Sequence, residues 1–123
     1  MTVVQFVLIL ANTLMLVSGQ FLWKYGLMQR VKPFESIRTI LELLLSPYII
    51  GGLFIYGCAT VLWLYIVSKV DLSLAYPIQS LAYIISIIGA YYLFDESLST
   101  LKIVGCLLIL AGVACIGLSG KYA

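Results

Sequence analysis

Residues 43–68 read LLLSPYIIGGLFIYGCATVLWLYIVS, 26 consecutive positions without a charged side chain. A helix rises about 1.5 Å per residue, so about 20 apolar residues cross a hydrocarbon core about 30 Å thick. This stretch is long enough to span a bilayer. The same reading extends outward to Met1–Trp23, Leu72–Phe94 and Ile103–Gly120, uncharged runs of 23, 23 and 18 residues. All twelve charged side chains fall outside these four windows. The last window is short, but Leu101 extends it and Lys102 can snorkel to the interface. The expected fold class is all-α: an integral membrane bundle of four transmembrane helices. They are placed at about 2–23, 47–68, 72–94 and 101–119, in one domain covering 1–123.

Composition narrows the function. A soluble domain of this size carries about 25% charged residues; this chain carries 10%, against 63% apolar residues. A net charge of +2, confined to helix ends, gives no ground for a nucleic-acid partner. Histidine is absent, and Cys58, Cys106 and Cys115 lie inside spans without CxxC spacing. Such thiols behave as small hydrophobes, so neither a disulfide framework, a metal site nor a cofactor is expected. The N-terminus lacks a basic n-region, and the first window is read as a retained helix.

The connections are too short for a catalytic domain. Lys69-Val70-Asp71 joins the second and third windows. Asp95–Lys102 joins the third and fourth, with Ser97 or Ser99 as candidate cap of the last helix. Only Lys24–Glu42 has any size. There Pro33 can open a short helix at 33–45, with Glu35, Arg38 and Glu42 on one side and Ile37, Ile40, Leu41 and Leu44 on the other. That pattern suits either a helix in the interface plane or a solvated connector extending the second span. No Ser/His/Asp or Cys/His constellation and no HExxH occurs, so the chain is not read as an enzyme.

The first and third connections hold Lys24, Arg30, Lys32, Arg38 and Lys102, against Lys69 and Lys121 on the other side. By the positive-inside rule those two connections face the cytoplasm and both termini face outward. In the fourth window Gly105 and Gly112 are seven residues apart and share a face, beside Ala111 and Cys115. Small residues let membrane helices approach closely, either within one bundle or between two subunits.

Polar groups in hydrocarbon are costly and face a bundle interior or a watery cavity. The first window carries Asn12, Ser18 and Gln20, with Lys24 one turn beyond Gln20 on the same side. The third carries Tyr76, Gln79, Ser80, Tyr83 and Ser86, spaced three or four apart, so they form one polar-aromatic stripe with Pro77 near its start. The second adds Tyr56, Thr60 and Tyr65 around Trp63. Any single tyrosine can be an interfacial anchor and any serine can bond its own helix backbone. A whole stripe facing the first helix reads as a substrate pathway, with Asn12, Trp63, Glu96 and Lys102 as head-group or gate candidates. No carboxylate lies within the windows; Asp95 and Glu96 stand at the exit of the third. That argues against proton-coupled export of cationic drugs.

Four motifs carry a resemblance over essentially the whole chain: Ser18-Gly19-Gln20-Phe21-Leu22-Trp23-Lys24, Ala75-Tyr76-Pro77-Ile78-Gln79-Ser80-Leu81, Phe94-Asp95-Glu96-Ser97-Leu98, and Gly105 followed by Gly112-Val113. In this order they resemble the drug/metabolite transporter superfamily. They are similar to its small four-helix subunits that flip undecaprenyl-phosphate-linked aminoarabinose and, more distantly, to its small multidrug resistance branch. That branch has a glutamate three residues before its first-helix glycine, where this chain has Leu16, and a tryptophan where this chain has Gln79. The resemblance implies a bacterial inner-membrane flippase for a polyprenyl-phosphate glycolipid. It also implies a homodimer or paralogous heterodimer, with the first three helices lining the cavity and the fourth joining subunits. On the residues themselves, Lys24 supported by Gln20 is the best phosphate donor, or else an interfacial anchor. Glu96 either meets an amino sugar or pairs with Lys102. Two other readings stay open: an exporter of cationic or polar metabolites, and an accessory subunit of a glycosyltransferase.

Overall fold

The structure, a computed structural model, describes residues 2–30, 32 and 34–122, the last three by backbone alone. Pro33 and the Lys121 side chain therefore lie outside the described residues. Six helices follow one another: α1 Val3–Met28, α2 Ile37–Leu44, α3 Pro47–Lys69, α4 Leu72–Gln79, α5 Leu81–Phe94 and α6 Thr100–Tyr122. Four segments are long and apolar enough to cross a membrane: α1, α3, α4 with α5, and α6.

The ends of these helices have local causes. Thr2 and Gln5 form a reciprocal capping box at the start of α1. The helix then runs through Lys24 to Met28, beyond the uncharged window that ended at Trp23. One lysine near a membrane surface does not stop a helix, because its stem lies along apolar surface while its head reaches water. Between the first two spans lies the short helix α2, Ile37–Leu44, opened by a Ser36/Thr39 capping box. Its apolar Ile37, Leu41 and Leu44 are exposed, while Glu42 receives Arg30 and Arg38 in ion pairs of 3.8 and 3.3 Å. Pro47 occupies the first turn of α3, where its missing N–H costs nothing.

The third span is two helices. Pro77 removes one backbone donor from the ladder, and the chain turns at Ser80 before α5 begins. Ser80 donates both its amide (3.0 Å) and its hydroxyl (2.5 Å) to the Pro77 carbonyl, which closes the turn between the two helices.

The most intimate pairing is α1 against α3. A Cβ added to Gly19 would stand 2.8 Å from the Tyr56 ring, and one on Gly26 would stand 2.9 Å from Cβ of Tyr48. One on Gly52 would stand 2.9 Å from the Gly19 carbonyl. The two backbones meet at these glycines. A compact apolar core of Ile9, Ile66, Val70, Ala75 and Ile78 joins α1, the end of α3 and α4. The helix α6 packs against α4 and α5, with Val113 touching that core, and most of its surface is exposed.

Candidate functional site

The tight α1–α3 crossing sets the aromatic wall of the site. The Trp23 ring stacks on Tyr56 at 4.6 Å, and its indole N–H donates to the Ile49 carbonyl at 3.0 Å. With Tyr56 fixed in this way, its hydroxyl accepts from the Gln20 amide at 2.8 Å.

Opposite that wall stands the broken third span. Between them opens a cleft of about 320 Å³ whose lining includes Gln20, Tyr56, Tyr76, Gln79, Ser80 and Tyr83. The stripe read from three- and four-residue spacing thus shares one cavity with Gln20. Tyr76 and Tyr83 are both about two-thirds exposed, at 66% and 65%. An open cleft of this kind offers hydroxyls, an amide and aromatic faces to a polar group.

A second cleft of about 300 Å³ adjoins the first, with Gln20 and Ser86 in the walls of both. It is lined by Lys24, Glu96 and Lys102, against the rings of Phe21 and Phe94. Those rings pack edge to face at 5.8 Å. Phe21 lies close over Gly89, where any Cβ would run into it. The sequence of walls is therefore polar-aromatic in the first cleft and charged in the second.

The charged end is held by a defined turn. Asp95 adopts the left-handed region at φ 53°, and the Glu96 amide reaches back to the Ala90 carbonyl at 3.2 Å. Aspartate is among the few residues that tolerate this conformation. Ser99 caps α6 by accepting from the Lys102 amide at 3.3 Å, one of the two serines expected there. The Lys102 ammonium donates to the Ser97 carbonyl at 2.6 Å. The expected Glu96–Lys102 pair is not formed: among the described residues the ion pairs are those of Glu42 with Arg30 and Arg38.

Other candidates are placed differently from expectation. Asn12 is wholly buried. It donates to the Ala59 carbonyl at 2.6 Å and accepts from Gln79 at 2.6 Å, tying α1, α3 and α4 together. It is not in the lining of either cleft, and inside an apolar bundle such a group must be bonded. Gln79 lines the cleft but spends a donor on Asn12. Trp63 lies outside both clefts, packing on the core and edge-on to Tyr76 at 6.2 Å. Thr60 and Ser68 bond carbonyls of their own helix, the bland role allowed for them. Gly105 and Gly112 meet nothing within 4 Å, so they do not pack α6 inside its own bundle. Tyr56 and Ser86 were seen as polar span residues without being singled out. Gly52 lies one turn before Tyr56 on α3, on the face that meets Gly19 of α1.

Comparison with known proteins adds to this geometry. The EamA-like transporter family matches residues 2–118. The chain is 31% identical over 119 residues to a probable 4-amino-4-deoxy-L-arabinose-phosphoundecaprenol flippase subunit ArnF of Serratia proteamaculans, covering 90% of each chain. It is 29% identical over 114 residues to the corresponding ArnE subunit of Sodalis glossinidius, covering 93% of this chain and 97% of that one. Against ArnE of an Enterobacter species the identity is 36% over 66 residues, 54% of this chain and 62% of the relative's length. That match spans somewhat less than two thirds of the relative. No solved structure matches the chain.

Proposed function

The chain belongs to the EamA-like transporter family of the drug/metabolite transporter superfamily, and from that premise we propose that it moves a polyisoprenyl-phosphate-linked sugar between the leaflets of a bacterial inner membrane, working as a dimer. The observation that carries this reading is that the two clefts lie side by side, sharing Gln20 and Ser86 in their walls. Lysine side chains line one cleft, and beyond the shared Gln20 and Ser86 lies the open polar-aromatic cleft. A polyprenyl phosphate can leave its tail in the lipid while only the charged head crosses. That crossing needs cationic donors for phosphate and polar walls along the way. The four uncharged windows contain no carboxylate to serve proton-coupled export of a cation. The relatives' names, flippase subunits for an arabinose-phosphoundecaprenol, support the same class of cargo. They also support a second subunit, either another copy or a paralogue.

Lys24 is the phosphate donor in this reading, with Lys102 beside it and Gln20 leading onward. The test is flipping of a short-chain polyprenyl-phosphate glycolipid by the full chain in proteoliposomes. Lys24→Gln is slightly shorter, keeps a hydrogen-bond donor and removes the charge. Hydrogen bonds to charged groups are worth about 1.5–3 kcal/mol, so flipping at low substrate should fall by roughly tenfold or more. Flipping that survives Lys24→Gln would overturn the role of this lysine. Uptake of quaternary cations by the parent with no response to the lipid would overturn the lipid reading itself.

A further inference from the structure

We infer that Asn12, which lines neither cleft, is a positioning residue: it sets the direction of the Gln79 amide, so that Gln79 and Ser80 present two acceptor oxygens to whatever passes the first cleft. This rests on the transport reading above. The direction is forced from the far end. The Ala59 carbonyl can only accept, so the part of Asn12 that meets it at 2.6 Å is the amide nitrogen. The Asn12 oxygen is then the end that meets Gln79, also at 2.6 Å, and the Gln79 group there is its nitrogen. Turning Asn12 over would set its oxygen against the Ala59 carbonyl oxygen, and turning Gln79 alone would set its oxygen against that of Asn12. Asn12 is wholly buried, so neither clash could be relieved by water. Gln79 lines the cleft, and with its nitrogen turned to Asn12 its carbonyl oxygen is left without a donor among the described residues. Ser80 has given its one hydroxyl proton to the Pro77 carbonyl, so its oxygen has only lone pairs left to offer. Two acceptors from consecutive residues stand in one wall.

Two acceptors call for a donor. Phosphate oxygens would be repelled here, which leaves them to the lysines of the adjoining cleft. An ammonium can donate, but no residue lining this cleft carries a carboxylate to compensate its charge. A hydroxyl donates without bringing a charge, and Tyr76 and Tyr83 in the same wall offer ring faces to the carbon skeleton that bears it. Without Asn12 the Gln79 amide is free to turn over and offer its nitrogen instead. The cleft would then keep every residue of its lining and still lose its preference for a donor. Rejection of the wrong group is as much a source of selectivity as attraction of the right one.

The experiment uses a short-chain polyprenyl-phosphate pentose and analogues in which each ring hydroxyl in turn is replaced by fluorine, which is close in size but cannot donate. Binding to the full chain in nanodiscs is measured for the parent, Gln79→Met, Asn12→Ala and the double variant. At one hydroxyl or more, the parent should bind the fluoro analogue about fivefold or more weakly than the hydroxyl lipid. Gln79→Met should cut that ratio to about twofold or less, and so should Asn12→Ala, although residue 12 is in neither lining. The double variant should lose no more of the ratio than Gln79→Met alone. A merely structural role for Asn12 would instead lower the affinity for every analogue by one factor and leave the ratio as it was. Asn12→Val repeats the comparison if the alanine variant does not fold. NMR of the isotope-labelled Gln79 side-chain amide in the parent reads the bond to Asn12 without any variant, and fast proton exchange at that amide would overturn the inference. Equal binding of every analogue by the parent, or a ratio undiminished in Asn12→Ala, would overturn it too and leave the lipid-phosphate reading standing. Failure of the parent to bind any of these lipids would overturn both.

Discussion

At Gly52 the α3 backbone touches α1 so closely that a methyl group has nowhere to go. It would meet the Gly19 carbonyl at 2.9 Å and the Trp23 indole at 2.6 Å. Trp23 cannot move away without giving up its bond to Ile49 and its stack on Tyr56, and Tyr56 in turn holds Gln20. Overfilling a packed contact costs about 1–3 kcal/mol, so Gly52→Ala should unfold that much more easily in micelles and shift the tryptophan emission. Gly57→Ala, which adds a methyl to open space inside the helix, should be no less stable than the parent and up to about 1 kcal/mol more stable. A Gly52→Ala protein as stable as the parent would refute the close crossing. Residues of this kind were only half legible in the sequence. Gly19 stood inside a quoted motif without a structural role, although Gly19 and Gly26 have the same seven-residue spacing that drew attention to Gly105 and Gly112. Spacing shows that two glycines share a face. Which neighbouring backbone arrives at that face depends on how the helices pair. Asn12 illustrates the same limit: its polarity marked it as special, and its use, a buried bond to Gln79, required knowing what lay opposite.

Among the elements, the broken third span matters most to the clefts. The uncharged window Leu72–Phe94 reads as one crossing, and in length it is one. A proline near the start of a helix can set a bend. The interruption itself falls at Ser80, whose amide and hydroxyl both go to the Pro77 carbonyl. This break places Gln79 and Ser80 on the cleft wall together with Tyr76 and Tyr83. Alanine at 77 would restore the missing amide and allow one continuous helix. A proline inside a helix costs up to about 3 kcal/mol relative to alanine, so Pro77→Ala should raise stability by about 1 kcal/mol or more. It should also slow flipping severalfold, because the cleft wall loses its kink. Unfolding and flipping measured on the same preparation test this; a variant that flips at the parent rate would show that the break is incidental. The first span teaches a complementary point. Counting uncharged residues ended it at Trp23, while the helix continues through Lys24, and that extension brings the lysine to the cleft as a helical residue in register with Gln20. The α2 helix was legible in kind from its two-sided pattern, and its start at Ile37 follows from the Ser36 cap.

For the whole molecule, the open question is what covers α6. This helix is apolar along its length, yet no residue of its membrane-spanning window is buried within the chain. Lipid can cover leucines and valines well. Gly105 and Gly112 are another matter, because they leave a groove with nothing within 4 Å, and grooves of small residues on one face are where membrane helices approach each other. The alternative reading, that these glycines serve packing inside the chain, has no contact to support it, and the glycines that do serve it are in α1 and α3. The dimer proposed above therefore uses α6, leaving α1, α3 and the broken span to line the clefts on each subunit. Replacing both Gly105 and Gly112 with leucine fills the groove while touching no neighbour within the fold, so the monomer should melt almost as before. Dimerisation should fall sharply. Crosslinking in native membranes through Cys115, exposed on the same helix, reads this directly once Cys58 and Cys106 are changed to alanine. A double leucine variant that crosslinks as well as its parent would place the interface elsewhere. A parent that crosslinks only when a paralogue is co-expressed would make the partner that paralogue and leave the groove as the interface.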